Sequence, residues 1–548
     1  MGALCHEEVW ATASVMRTTK AKTLLGGVTE LAHRVVEQFH QDLHDMRATG
    51  VSVLLPGSQT HTKLIGNVQL LMSDVPALTE MLSSKGHSGV KCCPVCKNAT
   101  NHKPPGDAVP MHTYSDYCVP ITETNYELFK KHTNASLLQV VHNLQKLKDD
   151  PAVTKTDREE KETSTYGYSW TPWSIIYNQR FKTPAADAIM FDWGHTYACE
   201  GIADEEFGRY MRLMHRAKTQ RKIRHACHYQ KLGEYLETWT WPKSRGNPHH
   251  MFDEDHAKRF IKSGSFNCTA SELLSLAPVI KRYLKRVVLP QIQDVVDLAL
   301  ATESMIAAFE VIAMLEACKT KGAVSHTLLA KKIKCHLDMF KECYGEDEMR
   351  PKHHYALHLP GSLAKFGVLL STFTHERKHR CIKRYARGRN ILKSFEVSVL
   401  EEATCHNLWE LSDKHWDAVS TSSPTLLQKA WLGALFPGKQ NAVFTLHNQV
   451  YRKAYLTRGD IVVFQYQGEP RVGELLLNVG MHQGEDAELL SFVSIWEHTI
   501  GEDFATCVVK EGGVQIPTAA LVAPLTYRMS ADGASCVVVL PYDFQVKP

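Results

Sequence analysis

The sequence predicts an α+β protein of several domains, and three observations support this fold class. Short apolar runs broken by Pro-Gly lie near the N-terminus, helix-periodic segments fill the middle, and closely spaced Val, Leu, Phe and Tyr runs occupy residues 441–548. A chain of 548 residues is also too long for one hydrophobic core. We therefore expect an N-terminal α/β part, a helical middle and a C-terminal all-β module.

The N-terminal part is predicted to hold one helix and two strands. Apolar residues recur at helical spacing between about Thr23 and Met46. The run 51–55 is typical of a strand, and the apolar run Val68–Met72 is typical of a second, buried strand. Because Asp74 directly follows this run, we expect its carboxylate at the end of a central strand.

Two short motifs place potential metal ligands at the spacing that is typical of metal sites. The thiolates of Cys93 and Cys96 can chelate one ion from a tight turn, and zinc prefers four such ligands. His354 and His358 are four residues apart, so on a helix they share one face and can bind one zinc ion. Spacing alone leaves other partners for the cysteines open: His87, His102, His112 and Cys118, with His353 as a reserve ligand.

A strongly basic helix is predicted after the histidines, with Glu376 near its start. Its cations are Lys378, Arg380, Lys383, Arg384, Arg387 and Arg389. A single carboxylate in this setting suits a metal ligand beside a polyphosphate backbone, with His379 on the same helix face. The alternative is an exposed amphipathic helix whose acid is paired by its basic neighbours.

The order of Asp74, the CxxC motif, the HxxxH motif and Glu376 resembles eukaryotic cut-and-paste DDE transposases with a helical insertion, the CACTA, Plavaka and KDZ-like groups. The resemblance covers roughly residues 20–410. It implies that Asp74 and Glu376 are catalytic and bind Mg²⁺ or Mn²⁺. It also implies that Cys93, Cys96, His354 and His358 share a structural zinc ion. The C/D-x-x-H signature of this family fits Asp192 and His195, which are further candidate site residues.

This resemblance also implies a domain organisation. A partial ribonuclease-H-like α/β core is interrupted by a large all-helical insertion and followed by a β module similar to SH3 or BAH barrels. The predicted bounds are 1–96 for the incomplete core with its cysteine motif, 97–345 for the insertion, 346–415 for the histidines and the Glu376 helix, 416–440 for a linker, and 441–548 for the β module.

The expected function is that of a transposase-derived DNA-binding protein. In the family, three opening strands carry a first aspartate, and residues 1–22 supply no such segment. Two-metal phosphoryl chemistry needs several carboxylates, so we expect a weakly active or inactive enzyme. The alternatives are a non-catalytic, zinc-stabilised chromatin or DNA interaction protein, and a zinc-stabilised α+β protein unrelated to transposition.

Composition adds expectations about location and partners. The net charge is only +4, so a DNA surface must be local, and fifteen scattered cysteines without a predicted secretory leader indicate a reducing, intracellular setting. We expect a nuclear protein that binds double-stranded DNA, with a homodimer and a chromatin protein at the C-terminal module as further candidate partners. No apolar stretch is expected to be long enough to span a bilayer, so no membrane partner is predicted.

Overall fold

The computed structural model describes residues 10–40, 45–55, 57–101, 118–178, 181, 183–220, 223, 229–243, 248–266, 268–387, 394–412, 418–437, 443–451, 455–483 and 486–545. These residues form helices and several small sheets, which confirms the α+β class. Two units can be distinguished. The first comprises Met1–Glu206, Cys268–Ala270 and Cys318–Leu408, and the second comprises Phe207–Asn267, Ser271–Ala317 and Trp409–Pro548.

All of the described α-helices except α17 end by Ser412. The helices are α1 (Thr18–Ala21), α2 (Gly27–Phe39), α3 (Val75–Leu82), α4 (Asn134–Asp149), α5 (Lys155–Glu160), α6 (Ala185–Ala188), α7 (Ile202–Thr219), α8 (Tyr229–Glu237), α9 (Glu254–Ser263), α10 (Ala270–Tyr283), α11 (Val296–Ala317), α12 (His326–Tyr344), α13 (Pro351–Ala356), α14 (Leu359–Phe366), α15 (Phe373–Ala386), α16 (Phe395–Ser412) and α17 (Leu426–Leu435). Helices α7 to α12 follow one another in the middle of the chain, as expected for the predicted helical middle.

Most strands lie in the C-terminal part, as expected. They are β1 (Val51–Leu54), β2 (His61–Leu64), β3 (Ala99–Thr100), β4 (Val119–Pro120), β5 (Ala418–Ser422), β6 (Val443–Tyr451), β7 (Tyr455–Thr457), β8 (Ile461–Tyr466), β9 (Glu469–Gln483), β10 (Asp486–Val493), β11 (Glu497–Ile500), β12 (Phe504–Val508), β13 (Val514–Pro517), β14 (Leu521–Pro524), β15 (Tyr527–Met529) and β16 (Ser535–Val539).

The predicted central strand before Asp74 is wrong. Within 68–72, Leu71 alone forms a bridge, a parallel one with Ile189. The partner segment is too short to continue the pairing, because α6 ends at Ala188 and a π-helical turn begins at Gly194. Among the described residues of the first unit the sheets have two strands each, so a ribonuclease-H-like core and an insertion into it are not confirmed.

Local capping explains where helix α4 begins. Its first residue is Asn134, and Thr133 is its N-cap. The Thr133 hydroxyl accepts from the Ser136 amide at 3.1 Å, and the Ser136 hydroxyl accepts from the Thr133 amide at 2.9 Å. This capping box satisfies amide groups that the first turn leaves unpaired, which fixes the start of α4.

The second unit contains the predicted all-β module. In its larger sheet β9 pairs with β6, β8 and β10, while β11, β12, β16 and β15 form a separate four-stranded sheet. The segment 416–440, predicted as a linker, instead contributes β5, which pairs with β6, and the helix α17. Alternating apolar residues in β6 explain this difference, since Leu446 joins Leu432 of α17 in one core cluster.

Helix α11 overturns the expectation that no apolar stretch could span a membrane. It has 22 residues with a mean hydropathy of 1.8 over its best window, so it is long and apolar enough by these criteria. Within the second unit, however, 67% of that window is buried. The core helix of a folded domain has the same properties, so α11 is weak grounds for a membrane partner.

Candidate metal centre and acidic cluster

The four predicted zinc ligands come together in one buried cluster. One ligand atom from each of Cys93, Cys96, His354 and His358 lies within 4.8 Å of all the others. His358 Nε2 is 3.4 Å from Cys93 Sγ, 3.5 Å from Cys96 Sγ and 3.2 Å from His354 Nε2. Around a tetrahedral zinc ion, neighbouring ligand atoms are about 3.3 Å apart for two nitrogens and about 3.6 Å apart for sulfur and nitrogen. The cluster therefore has a donor set and a size that could hold a metal ion.

Hydrogen bonds to the backbone of the cysteine turn hold it in place. The Val95 amide donates to Cys93 Sγ at 3.4 Å, and the Val95 carbonyl accepts from the His132 amide at 2.8 Å. The Tyr168 hydroxyl donates to the Pro94 carbonyl at 2.6 Å. On the histidine side, Tyr355 donates to the Cys92 carbonyl at 2.9 Å. These contacts orient both thiols toward the same point.

The histidines are oriented by aromatic residues. The Tyr126 hydroxyl lies 2.8 Å from His358 Nδ1, which leaves Nε2 directed at the cluster. Phe129 packs on His354 with ring centroids 4.3 Å apart, and Phe191 packs on His358 at 5.2 Å. Histidine ligands of metals commonly hydrogen-bond through the nitrogen that does not bind the ion, and Tyr126 supplies that contact for His358.

Burial and mutual contact shift the pKa values of these groups. Burial alone would raise the pKa of Cys93, but its hydrogen bond with Cys96 and the nearby His358 and His354 lower that pKa well below its usual value. Burial, together with the Cys93 thiolate, raises the pKa of Cys96 well above its usual value. Burial lowers the pKa of His358. A neutral imidazole beside a thiolate is the protonation pattern that a metal requires.

The competing ligands that the structure describes do not join this cluster. His87, Cys118 and His353 are not among its members, and His102 and His112 lie outside the described residues. His353 instead packs on Phe340, with ring centroids 4.5 Å apart. Among the residues that the structure describes, no other group of three or more such ligand atoms comes within 4.8 Å.

The predicted catalytic residues Asp74 and Glu376 lie near the further candidate Asp192, which is fully buried. Its Oδ1 accepts from the Gly194 amide at 2.9 Å. Its Oδ2 contacts His195 Nδ1 at 2.5 Å and accepts from the Thr372 hydroxyl, also at 2.5 Å. Burial alone would raise the pKa of Asp192, but the hydrogen bonds from His195 and Thr372 lower it. Both carboxylate oxygens are therefore engaged by groups of the protein.

His195 lies between two carboxylates. Besides Asp192 at its Nδ1, its Nε2 is 3.5 Å from Glu376 Oε1, and the Glu376 side chain is 51% exposed. The hydrogen bond to Asp192 raises the pKa of His195, and the charges of Glu376 and Asp74 raise it further. The neighbouring carboxylates thus favour the protonated form of His195.

Asp74 lies near enough to His195 for its charge to raise the pKa of that histidine, but its own side chain has a local structural role. It is the N-cap of α3, where its Oδ1 accepts from the Ala77 amide at 2.8 Å. The parallel bridge between Leu71 and Ile189 explains the proximity of the two aspartates, because Asp74 and Asp192 each follow a paired residue by three positions. The structure thus gathers Asp74, Asp192, His195 and Glu376 in one region, although not as a preformed metal site.

The predicted DNA-binding residues lie on and after α15. Lys383, Arg384 and Arg387 are exposed, whereas the Lys378 ammonium contacts Asn407 Oδ1. Arg380 lies within α15, and Arg389 lies outside the described residues. The exposed cations follow Glu376 along α15 and at its C-terminal end.

Two residues at these sites were not predicted from the sequence. No pattern in the turn-rich segment around Tyr126 indicates a contact with a histidine 232 residues away. Thr372 precedes the predicted helix at a typical capping position, but its hydroxyl contacts Asp192 instead of the helix. No known family model, curated protein or solved structure matches this chain.

Proposed function

We propose that this chain is a transposase-derived DNA-binding protein, a remnant of a DDE transposase with weak or absent strand transfer. One observation carries the proposal. The CxxC motif at Cys93 and the HxxxH motif at His354 converge in one buried four-ligand cluster, in the chain order of the family that the sequence resembles. Such a split ligand set is more specific than either motif alone.

The metal that suits this cluster is structural zinc. Two thiolates and two imidazoles form a standard four-coordinate zinc set, in which no position is left for substrate. All four ligand residues are buried, with exposures of 4% for Cys93, 1% for Cys96, 0% for His354 and 5% for His358. A closed, buried set of this kind stabilises the fold and does not act on substrate.

Weak or absent catalysis is supported by the surroundings of Asp192. Its oxygens are already occupied by Gly194, His195 and Thr372, so Asp74 and Glu376 remain as ligands for Mg²⁺ or Mn²⁺. Such an ion would neutralise phosphate charge during phosphoryl transfer. Two carboxylates next to a histidine whose protonated form they favour are a poor donor set for a metal pair. This arrangement also favours the second candidate, a non-catalytic, zinc-stabilised chromatin or DNA interaction protein.

DNA binding is tested by the salt dependence of affinity. Phosphate contacts release counterions, so the slope of log K against log salt changes by about 0.9 for each contact with duplex DNA. Replacement of Lys383, Arg384 and Arg387 by Gln should flatten this slope by up to about 2.7. The matched control replaces Lys146, Lys155 and Lys161, exposed cations of the same unit, by Gln. Equal slopes in both triple variants would contradict a DNA surface on α15.

Catalysis is tested separately with supercoiled plasmid and Mn²⁺. We expect little or no nicking by the protein and no change with Glu376→Gln. Robust nicking that is lost in Glu376→Gln would show an active enzyme and would overturn the non-catalytic part of the proposal, while leaving DNA binding untouched.

A further inference from the structure

A polar patch lies on one face of the larger sheet in the second unit, on strands β6 and β9. The register pairs Val443 with His482, Thr445 with Gly480, and His447 with Asn478. Directly paired residues of an antiparallel ladder point to the same side, so Thr445, His447 and His482 share a face around Gly480. His447 is 6% exposed, whereas His482 is exposed.

The polar atoms of this face converge over Gly480. Thr445 Oγ1 lies 3.0 Å from His447 Nε2 and 3.5 Å from His482 Nε2. A Cβ atom on residue 480 would lie 2.5 Å from Thr445 Oγ1, 2.7 Å from His447 Nε2 and 3.4 Å from His482 Nε2. Glycine therefore leaves a notch into which two imidazole nitrogens and one hydroxyl are directed.

Two buried atoms next to this notch have no hydrogen-bond partner within the described structure, His447 Nδ1 and Asn478 Nδ2. On the far side, Asn478 Oδ1 accepts from the Ser491 hydroxyl at 2.7 Å, and Ser491 contacts Thr518 at 2.8 Å. Rotation of the Asn478 amide by 180° would direct its oxygen toward the neighbouring imidazole and its NH₂ toward Ser491. His447 would then carry its proton on Nδ1, and its Nε2 lone pair would accept from the Thr445 hydroxyl until an ion replaces that hydrogen bond.

We propose that His447 and His482 form a second metal site, which binds a borderline divalent transition metal such as Cu²⁺, Ni²⁺ or Zn²⁺. Imidazole nitrogens suit these ions, and Thr445 and water complete the coordination. Because His482 is exposed, rotation of its ring brings both nitrogens within reach of one ion. With two protein imidazoles and an open side, this site binds metal more weakly and exchanges it faster than the buried four-ligand cluster. The inference is independent of the proposed DNA function.

The test is a Cu²⁺ titration of protein whose cysteine-containing cluster is already filled with zinc, followed by calorimetry and electron paramagnetic resonance. We expect one Cu²⁺ per chain with a spectrum of two imidazole nitrogens. His482→Ala alters an exposed residue and should fold normally. This variant should no longer bind the one Cu²⁺ per chain. His498→Ala, in the same β-rich part, should keep it. Equal binding by His482→Ala and the unaltered protein, or no Cu²⁺ equivalent at all, would overturn the proposal.

A second variant separates loss of the notch from loss of a ligand. Gly480→Ala keeps both histidines but places a methyl group where the ion would lie. It should lose the Cu²⁺ equivalent while circular dichroism shows a folded protein. If Gly480→Ala is unfolded, Asn478→Ala replaces it, and its Cu²⁺ affinity should fall about tenfold. Unchanged Cu²⁺ affinity in the folded variant would contradict the assigned geometry.

Discussion

At the scale of single residues, the metal cluster depends on partners outside the two motifs. Tyr126 contacts His358 Nδ1 at 2.8 Å, and burial raises the pKa of this tyrosine, so its hydroxyl stays neutral. A neutral hydroxyl can accept a hydrogen bond from the imidazole Nδ1–H and so fix the tautomer that binds metal through Nε2. We therefore expect Tyr126, which lies far from both motifs in the sequence, to affect the metal affinity of the cluster.

We predict that Tyr126→Phe lowers zinc affinity by about 10- to 100-fold, the usual effect of losing such a contact. Competition with a chromophoric chelator measures the affinity. Tyr177→Phe, a tyrosine outside the cluster, is the control and should bind zinc like the unaltered protein. Equal affinity for Tyr126→Phe would mean that aromatic packing alone orients His358.

Thr372 provides a second residue-scale prediction. Its hydroxyl donates to the buried carboxylate of Asp192 at 2.5 Å. Thr372→Val removes this donor from a buried charge and should lower the free energy of unfolding by about 1.5–3 kcal/mol, as measured by chemical denaturation. Thr372→Ser keeps the hydroxyl and should lose much less. A loss of equal size in both variants would contradict this prediction, because Thr372→Ser keeps the hydroxyl donor.

At the scale of elements, helices were predicted better than the N-terminal strands. Helix periodicity is a local property, and so the predicted basic helix with Glu376 near its start is present as α15 (Phe373–Ala386). A strand needs a paired partner, which local sequence does not reveal. The apolar run Val68–Met72 before Asp74 therefore predicted a strand. In the structure, Leu71 is the one residue of this run that forms a β-bridge, with Ile189.

The motifs of the candidate sites could be predicted from local sequence, but most of the contacts between distant residues at these sites could not. Ligand chemistry and spacing identified the two motifs, whereas the family resemblance, and not spacing, predicted that their two cysteines and two histidines meet. The contact between His195 and Glu376 joins residues 181 positions apart through a turn geometry that no motif encodes. The engagement of both Asp192 oxygens likewise depends on Thr372, whose hydroxyl has no sequence signature.

An ion-paired contact between the N-terminal segment and α16 gives a pH-dependent prediction. Glu396 is 2.7 Å from Arg17 Nε and 2.9 Å from Lys20 Nζ, and these hydrogen bonds lower its pKa to about 2 from 4.5. A lowered folded-state pKa stabilises the protein above the unfolded value, and this stability is lost as the pH falls from about 4.5 to about 2. The contact is partly exposed, so it contributes at most about 1 kcal/mol.

We therefore expect Glu396→Gln to be less stable than the unaltered protein at pH 6, with a difference that shrinks as the pH falls below about 4.5. Denaturant unfolding at several pH values measures this difference. Glu401→Gln, at an exposed position of the same helix, is the matched control. A difference that stays constant down to pH 3 would show that Glu396 acts through packing and not through its charge.

At the scale of the whole molecule, the metal cluster joins distant parts of the chain. Cys96 and His358 are 262 residues apart, and the first unit is itself built from separate chain segments. A structural zinc ion binds with an apparent free energy of about 10–16 kcal/mol in small zinc domains, and this free energy becomes folding free energy. Zinc in this cluster would therefore stabilise the first unit as a whole, more than any single contact described above.

The most direct test of this account is the zinc content of the purified protein and its variants, measured by atomic emission. We expect about one zinc per chain, the stoichiometry of a single four-ligand site, and its loss in both Cys96→Ser and His358→Ala. Cys92→Ala, which changes a buried neighbour outside the cluster, should keep its zinc. Full zinc content in His358→Ala would contradict the account, because the cysteines would then bind the ion without the distant histidines.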